Sequence, residues 1–188
     1  MKKTGRKRVY RLSAIGLLIV MLAFGFYQER VKIGMNFYLD LGDRVSGFYN
    51  ESPEKREELF FQYRHRMNRD PYSSSIHLSW LNHFDRSTIS ALKWVFTLVF
   101  TIVHLGLAMA ILWLWFGERK YLRWLVLFYG VVFVLAGAIF IFGKLTGTHD
   151  ATYQVTRKLM GALQSAVPLM VFFPVVIFHR RLDNSLLR

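Results

Sequence analysis

Four apolar runs punctuate the chain, and polar stretches separate them. The longest, Trp94 to Phe116 (WVFTLVFTIVHLGLAMAILWLWF), holds 23 residues without a charged side chain. At about 1.5 Å rise per residue, a helix of that length crosses a hydrocarbon core of roughly 30 Å. Trp94, Trp113 and Trp115 fall where indole rings prefer the headgroup level. A shorter run, Leu12 to Tyr27, precedes it, and Trp124 to Gly143 and Leu159 to Phe178 follow. The pattern predicts an all-α integral membrane protein with four transmembrane helices, over 12–27, 93–116, 124–143 and 159–178. The first run is short for a span, so Tyr10, Tyr27 and Gln28 are expected to help fill the interface. Gly130 and Gly137, with Ala136 and Ala138, offer surfaces for close helix packing. Pro168 and Pro174 each remove a backbone donor, which predicts a kink or local unwinding in the last run.

Between the first two runs, residues 28–92 differ in kind, with near-equal numbers of acidic and basic side chains. Val31, Met35, Tyr38, Val45 and Tyr49 recur at helical spacing, which predicts an amphipathic helix continuing from the first span. Gly42, Gly47 and Asn50 mark a break. Ser52-Pro53-Glu54 then reads as a helix start, with Ser as N-cap, Pro at the first position and acids in the first turn. Leu59, Phe60, Tyr63 and Met67 would form the apolar face, Arg64, Arg66 and Arg69 would sit near its end, and Asp70-Pro71 would terminate it. A looser stretch through Trp80, Leu81 and Phe84 leads to Ser87 or Thr88, either of which would cap the second span.

Charge orients this arrangement. The formal net charge is +13, but the basic residues flank apolar runs instead of forming one continuous surface, so nucleic acid is not the expected partner. Residues 1–11 carry six positive charges and no acid, the 117–123 loop carries Arg119, Lys120 and Arg123 against Glu118, and the 179–188 tail is basic again. With positive charge inside, both termini are cytoplasmic, and 28–92 and the 144–158 loop lie on the opposite side of what is expected to be a bacterial inner membrane. The basic start followed by a short apolar run also fits a signal peptide, but no clear small-x-small site follows, so an uncleaved anchor is expected. The chain has no cysteine, which excludes disulfides, thiolate metal sites and a thiol nucleophile.

Candidate chemistry is sparse. His104 lies near the middle of the second span, where an ionisable residue marks a functional candidate by default. Its structural alternative is a neutral imidazole bonded to a backbone carbonyl or to a neighbouring helix, and no span supplies a second His or a carboxylate to make a proton relay or a haem site. Arg157 and Lys158 stand on the expected outer side against the general charge trend. They suit a lipid phosphate, a substrate anion or an acidic loop of a partner, or else simple interfacial snorkelling. Gln164 and Ser165 are suited to interhelical hydrogen bonds. His77, His83 and Asp85 make a weak metal pattern, as do His149 and Asp150, and Asn50-Glu51-Ser52 matches a glycosylation sequon. No phosphate loop, nucleophile elbow, HExxH or paired catalytic carboxylates occur, so an enzyme is not expected, nor is a cofactor or a metal. The candidate contacts to partners or lipid are His104, Arg157, Lys158, Gln164, Trp113 and Trp115.

From Asp70-Pro71 onward the layout resembles the small membrane proteins encoded beside F-type exosortases in Gram-negative bacteria. The shared features are that Asp-Pro near the start of the outer segment, a span rich in Leu and Trp, a short charged loop (Gly117 to Arg123), Leu127-Phe128-Tyr129 in the third span, and Arg157 before a last span containing Pro168 and Pro174. The 28–69 segment is longer and more helical than the resemblance implies. Exosortases resemble cysteine transpeptidases, so a chain without cysteine is expected to be an accessory to such an enzyme. The expected function is therefore a non-catalytic accessory or scaffold subunit of a larger inner-membrane complex, contacting other membrane subunits and membrane lipids. The alternative is a small transporter or lipid-handling protein built around His104, Gln164 and a Pro-kinked fourth helix.

Overall fold

A computed structural model describes residues 2–66 and 78–186. Among these residues the fold is all helical, with α1 (Lys2–Arg44), α2 (Pro53–Arg66), α3 (Arg86–Phe116), α4 (Arg119–Thr146), α5 (His149–Leu163) and α6 (Val167–Leu186). Three of these helices, α1, α3 and α4, are long and apolar enough to cross a membrane, and the pair α5–α6 passes the same test only when taken together. The chain forms two compact units. One comprises Met1–Ala23 with Phe100–Arg188, the other Phe24–Val99.

The Phe24–Val99 unit contains the charge-balanced segment. Helix α1 continues past its apolar run without a break, and its 43 residues reach roughly 65 Å, about twice the thickness of a hydrocarbon core. Val31, Met35 and Tyr38 are buried as the spacing predicts, together with Phe37 and Leu41. The helix ends at Arg44, so Val45 and Tyr49 lie beyond it. Gly47 takes the left-handed conformation (φ 77°) that starts a 3-10 turn, Phe48–Asn50, a backbone state open chiefly to glycine. Gly42 is needed for another reason, because a Cβ there would overlap the Tyr49 ring. Ser52 caps α2 as expected, its hydroxyl accepting from the Lys55 amide at 3.3 Å. Phe60 is the buried centre of α2, set edge-on to Phe37 and stacked on Tyr38, while the expected contributor Met67 and the Asp70-Pro71 stop lie outside the described residues. A second 3-10 turn, Ser79–His83, buries Leu81 and Asn82. Helix α3 then begins earlier than its apolar run, and its cap is neither Ser87 nor Thr88. Asp85 fills that place, with its carboxylate accepting from the Thr88 amide at 3.3 Å and from the Ser87 hydroxyl. Asp leads Ser and Thr at this position because its charge also meets the positive end of the helix.

In the other unit the expected loops shrink to single turns. Gly117 (φ 73°) stops α3, its amide bonded to the Trp113 carbonyl at 2.8 Å, and α4 starts two residues later. Gly147 (φ 72°) caps α4 in the same way, so most of 144–158 is helix. Helices α4 and α5 form the most extensive packed pair. They approach so closely that a Cβ at Gly143 would overlap Thr152, and further along the Thr156 hydroxyl donates to the Ala136 carbonyl at 3.3 Å. Close packing thus uses Ala136 and Gly143. Gly130, Gly137 and Ala138 are exposed on the opposite face, and the two glycines have open space where a Cβ would stand. The inward stripe of α4 is Tyr121, Leu125, Tyr129, Ala136 and Gly143.

The expected single fourth span is two helices whose axes, over Ala151–Leu163 and Val167–Asp183, are bent by 58°. The interruption falls at Gln164–Ala166, just ahead of Pro168. Pro168 has no amide to give the Gln164 carbonyl, and its ring crowds that carbonyl, which favours a break here. Pro174 remains inside α6. Helix α5 leaves the turn at the C-terminal end of α4. Helix α6 finishes beside the N-terminal end of α4, where the His179 ring lies 5.1 Å from Trp124 and Asp183 accepts from Lys120 at 3.1 Å. The bent pair therefore runs the length of its neighbour.

Candidate functional site

A helix broken inside an apolar bundle strands backbone groups that water cannot reach, and such a break persists only where neighbours satisfy them. Each partner here comes from a residue type the apolar runs carry sparingly. The Tyr129 hydroxyl on α4 donates to the Leu163 carbonyl at 3.0 Å. The Gln164 amide nitrogen donates to the Thr101 hydroxyl on α3 at 2.7 Å, and both residues are buried, at 3% and 7% exposure. Ser165 donates to the Ala162 carbonyl at 2.7 Å and accepts from the Val167 amide at 3.2 Å, which starts α6. The Gln164 amide itself is shared between the Met160 and Gly161 carbonyls, tightening the last turn of α5.

His104 follows Thr101 by three residues on α3, which puts the two on one helical face. It is fully buried, and its Nδ1 lies 2.9 Å from the Phe100 carbonyl one turn back. A carbonyl oxygen only accepts, so Nδ1 is the donor in that contact. Gln164 and His104, grouped in the transporter alternative, both lie in this buried unit, one bonded to Thr101 and the other on the same helix face as Thr101. Arg157 and Lys158 are exposed on α5, since Thr156 and Met160 take its inward face, and among the described residues neither meets a carboxylate. Among the described residues no group of three His, Asp or Glu side chains gathers as a metal site. His77 lies outside the described residues, as do the side chains of His149 and Asp150.

A second feature of the same unit is a cavity of about 550 Å³ at the Gly117 end, lined by Tyr10, Arg11, Trp113, Trp115, Gly117 and Arg180, with Leu114 and Phe116. Arg180 is fixed in place. Its Nε donates to Glu118 at 2.8 Å and its Nη2 donates both to Glu118 and, at 2.8 Å, to the Phe116 carbonyl, one of the acceptors left open where α3 stops. Arg11 lies with its guanidinium carbon 5.8 Å from the Trp115 ring centre and meets no carboxylate among the described residues. Burial favours the neutral form of Glu118, but the hydrogen bond and charge of Arg180, with Lys120 behind it, outweigh that and hold its carboxyl below the usual value. Trp113 and Trp115 therefore stand beside two arginines, a grouping hidden in the sequence because Arg11 and Arg180 are counted there only as flanking charge. The signal was the shared end. Both residues adjoin an apolar run on the side that holds the Gly117 turn.

In the Phe24–Val99 unit the unexpected residue is Arg56, only 8% exposed. Its guanidinium donates to four backbone carbonyls: Glu51 at 3.0 Å, Asn82 at 2.8 Å, Phe84 at 2.9 Å, and Tyr49. The Asn82 side chain accepts from the Tyr38 hydroxyl at 2.9 Å, and the Tyr49 hydroxyl donates to the Tyr38 carbonyl at 3.1 Å. Arg56 precedes buried Phe60 by one turn, so helical spacing alone placed it on the inward face.

No family model, curated protein or solved structure matches the chain.

Proposed function

We propose that this chain is a non-catalytic subunit of a larger inner-membrane assembly, crossing the bilayer four times with both basic ends in the cytoplasm. The bent pair α5–α6 is the fourth crossing, because it begins at one end of α4 and finishes at the other. The observation that carries the subunit reading is the outward face of α4. Gly130 and Gly137 stand seven residues apart there, amid exposed Val131, Phe133 and Val134. Lipid gives apolar side chains no reason to associate, so helices in a bilayer meet where small residues let backbones approach. The occupant that suits this face is an apolar helix of another subunit. Association with an exosortase system is one form of the same reading.

Purification from native membranes in mild detergent tests it. A co-purifying membrane protein is expected, and Gly130→Leu with Gly137→Leu should release it while leaving the chain folded. Recovery of the same companions with both variants, or of the chain alone from the wild type, overturns the proposal.

The 58° break lined by Gln164 and Thr101 favours a second reading, a small transporter or lipid-handling protein. The absence of native cysteine allows single thiols to separate the two. Lys55→Cys is expected to react with an impermeant reagent from outside intact cells, which fixes orientation. Gln164→Cys should resist a water-soluble reagent in the subunit reading and react readily if the break lines an aqueous path.

A further inference from the structure

We propose that the cavity between Arg11 and Arg180 binds the phosphate headgroup of an anionic membrane lipid. The inference rests on the membrane-spanning reading, and on the Gly117 end facing the basic side of the protein. Its volume, about 550 Å³, lies within the range of small-molecule sites. The chemistry of its wall matches the headgroup level of a bilayer. Trp113 and Trp115 supply amphipathic rings that rest between hydrocarbon and water. Arg180 is held by Glu118 and the Phe116 carbonyl through Nε and Nη2, which leaves Nη1 as the nitrogen outside those bonds and orients the guanidinium before any ligand arrives. Arg11 supplies the charge that no carboxylate offsets among the described residues. Its place over the Trp115 ring keeps the cation beside the aromatic wall. A phosphate diester between the two guanidiniums would take charge-assisted hydrogen bonds from both sides.

The basic surroundings agree with this placement. Arg119, Lys120 and Arg123 follow Gly117 within six residues, and such clusters attract anionic lipid within a Debye length. Arg157 and Lys158 on α5, both exposed, form the natural comparison.

Native mass spectrometry of the full chain in detergent reads the proposal directly. Phosphatidylglycerol, phosphatidylcholine and inorganic phosphate serve as separate probes. The wild type is expected to retain one phosphatidylglycerol in preference to phosphatidylcholine, and Arg11→Gln should lower that retention roughly fivefold. Arg180→Lys, which keeps the charge and loses the fork, should lower it too. Arg157→Gln with Lys158→Gln should leave it unchanged. Equal retention by wild type and Arg11→Gln overturns the site, as does an equal loss in the Arg157/Lys158 variant, which would mark general charge attraction. Binding of inorganic phosphate without preference for phosphatidylglycerol assigns the cavity to a free anion and overturns the lipid source. Release of the chain from membranes by alkaline carbonate would instead defeat the membrane-spanning reading, a separate failure.

Discussion

Both units must satisfy backbone groups stranded where a helix stops, and they do so with different chemistry. In the Phe24–Val99 unit the Ser52 hydroxyl caps α2, and the rest of the work falls to charged groups. The Arg56 guanidinium gathers four carbonyls from the turns around it, and the Asp85 carboxylate caps α3. In the unit built from Met1–Ala23 and Phe100–Arg188, the break between α5 and α6 is held by neutral groups, namely the hydroxyls of Tyr129, Ser165 and Thr101 and the amide of Gln164. On the membrane-spanning reading proposed above, solvent explains the contrast. A buried charge survives where water can reach part of the network and screen it, whereas an ion within a hydrocarbon-facing bundle carries a desolvation penalty that a neutral hydrogen bond avoids. The fixed charges of the second unit, Arg180 with Glu118, accordingly appear at its end and not at its break.

Removing Arg56 should have the largest effect. Arg56→Met keeps much of the side-chain volume but leaves four carbonyls without their donor. Each buried acceptor so orphaned costs about 1–3 kcal/mol, and the effects overlap, so a loss on the order of 4 kcal/mol is expected. Hydrogen exchange over residues 45–66 and 78–92 should rise together. Arg56→Lys should recover only part of the loss, because one ammonium cannot fork to carbonyls on several sides. Local exchange confined to α2 would show that Arg56 is not the tie between the turns.

Tyr129→Phe poses the matching question for the break. It removes one hydroxyl and leaves the Leu163 carbonyl to find another donor. Interhelical hydrogen bonds in membrane proteins contribute about 0.6 kcal/mol on average and rarely more than about 1.7, so a loss near 1 kcal/mol is expected in detergent unfolding. A loss above about 3 kcal/mol would erase the contrast between the two units and make the neutral bonds as decisive as the charged ones.

The apolar runs made the three long helices α1, α3 and α4 legible through length and hydropathy, but not the division of the last run into α5 and α6. The helix starts were half legible. Ser52 could be read from Ser-Pro-Glu, but Asp85 was hidden by the more numerous hydroxyls after it. The close approach of α4 to α5 was legible in part: Ala136 of the small-residue set meets Thr156 of α5, but the small-residue rule does not say which of Gly130, Ala136, Gly137 and Ala138 looks inward. Thr152 and Thr156, the residues that meet Gly143 and Ala136, carry that information only once α5 is known to be helical back to His149. Arg56 and Arg180 were illegible as anchors, because a basic residue near polar neighbours looks like solvated charge until the carbonyls it binds are in place. Some of these carbonyls follow glycine turns, Tyr49 and Glu51 after Gly47 and Phe116 beside Gly117, while Asn82 and Phe84 belong to the turn before α3.

The smallest expected effect concerns pH and separates the two kinds of helix start. Hydrogen bonds from the Ser87 hydroxyl, then from Thr88, hold the Asp85 carboxyl below its usual value, at about 2. A carboxyl whose folded value is depressed contributes stability above the unfolded value near 4, and that contribution disappears as pH falls through about 2. The first turn of α3 should therefore loosen between pH 4 and 2, read as faster exchange of the Thr88 and Ile89 amides. Asp85→Asn keeps an acceptor for the Thr88 amide but cannot titrate, so its first turn should start slightly weaker and show no such pH step. The start of α6 supplies the internal control. Ser165 does not ionise in this range, and exchange at Val167 should be flat across the same interval. A step of equal size at Val167 would mean that acid loosens the whole molecule, and the distinction between ionic and neutral helix starts would lose its support. A step at Thr88 alone would locate the pH sensitivity in the one cap made by a carboxylate.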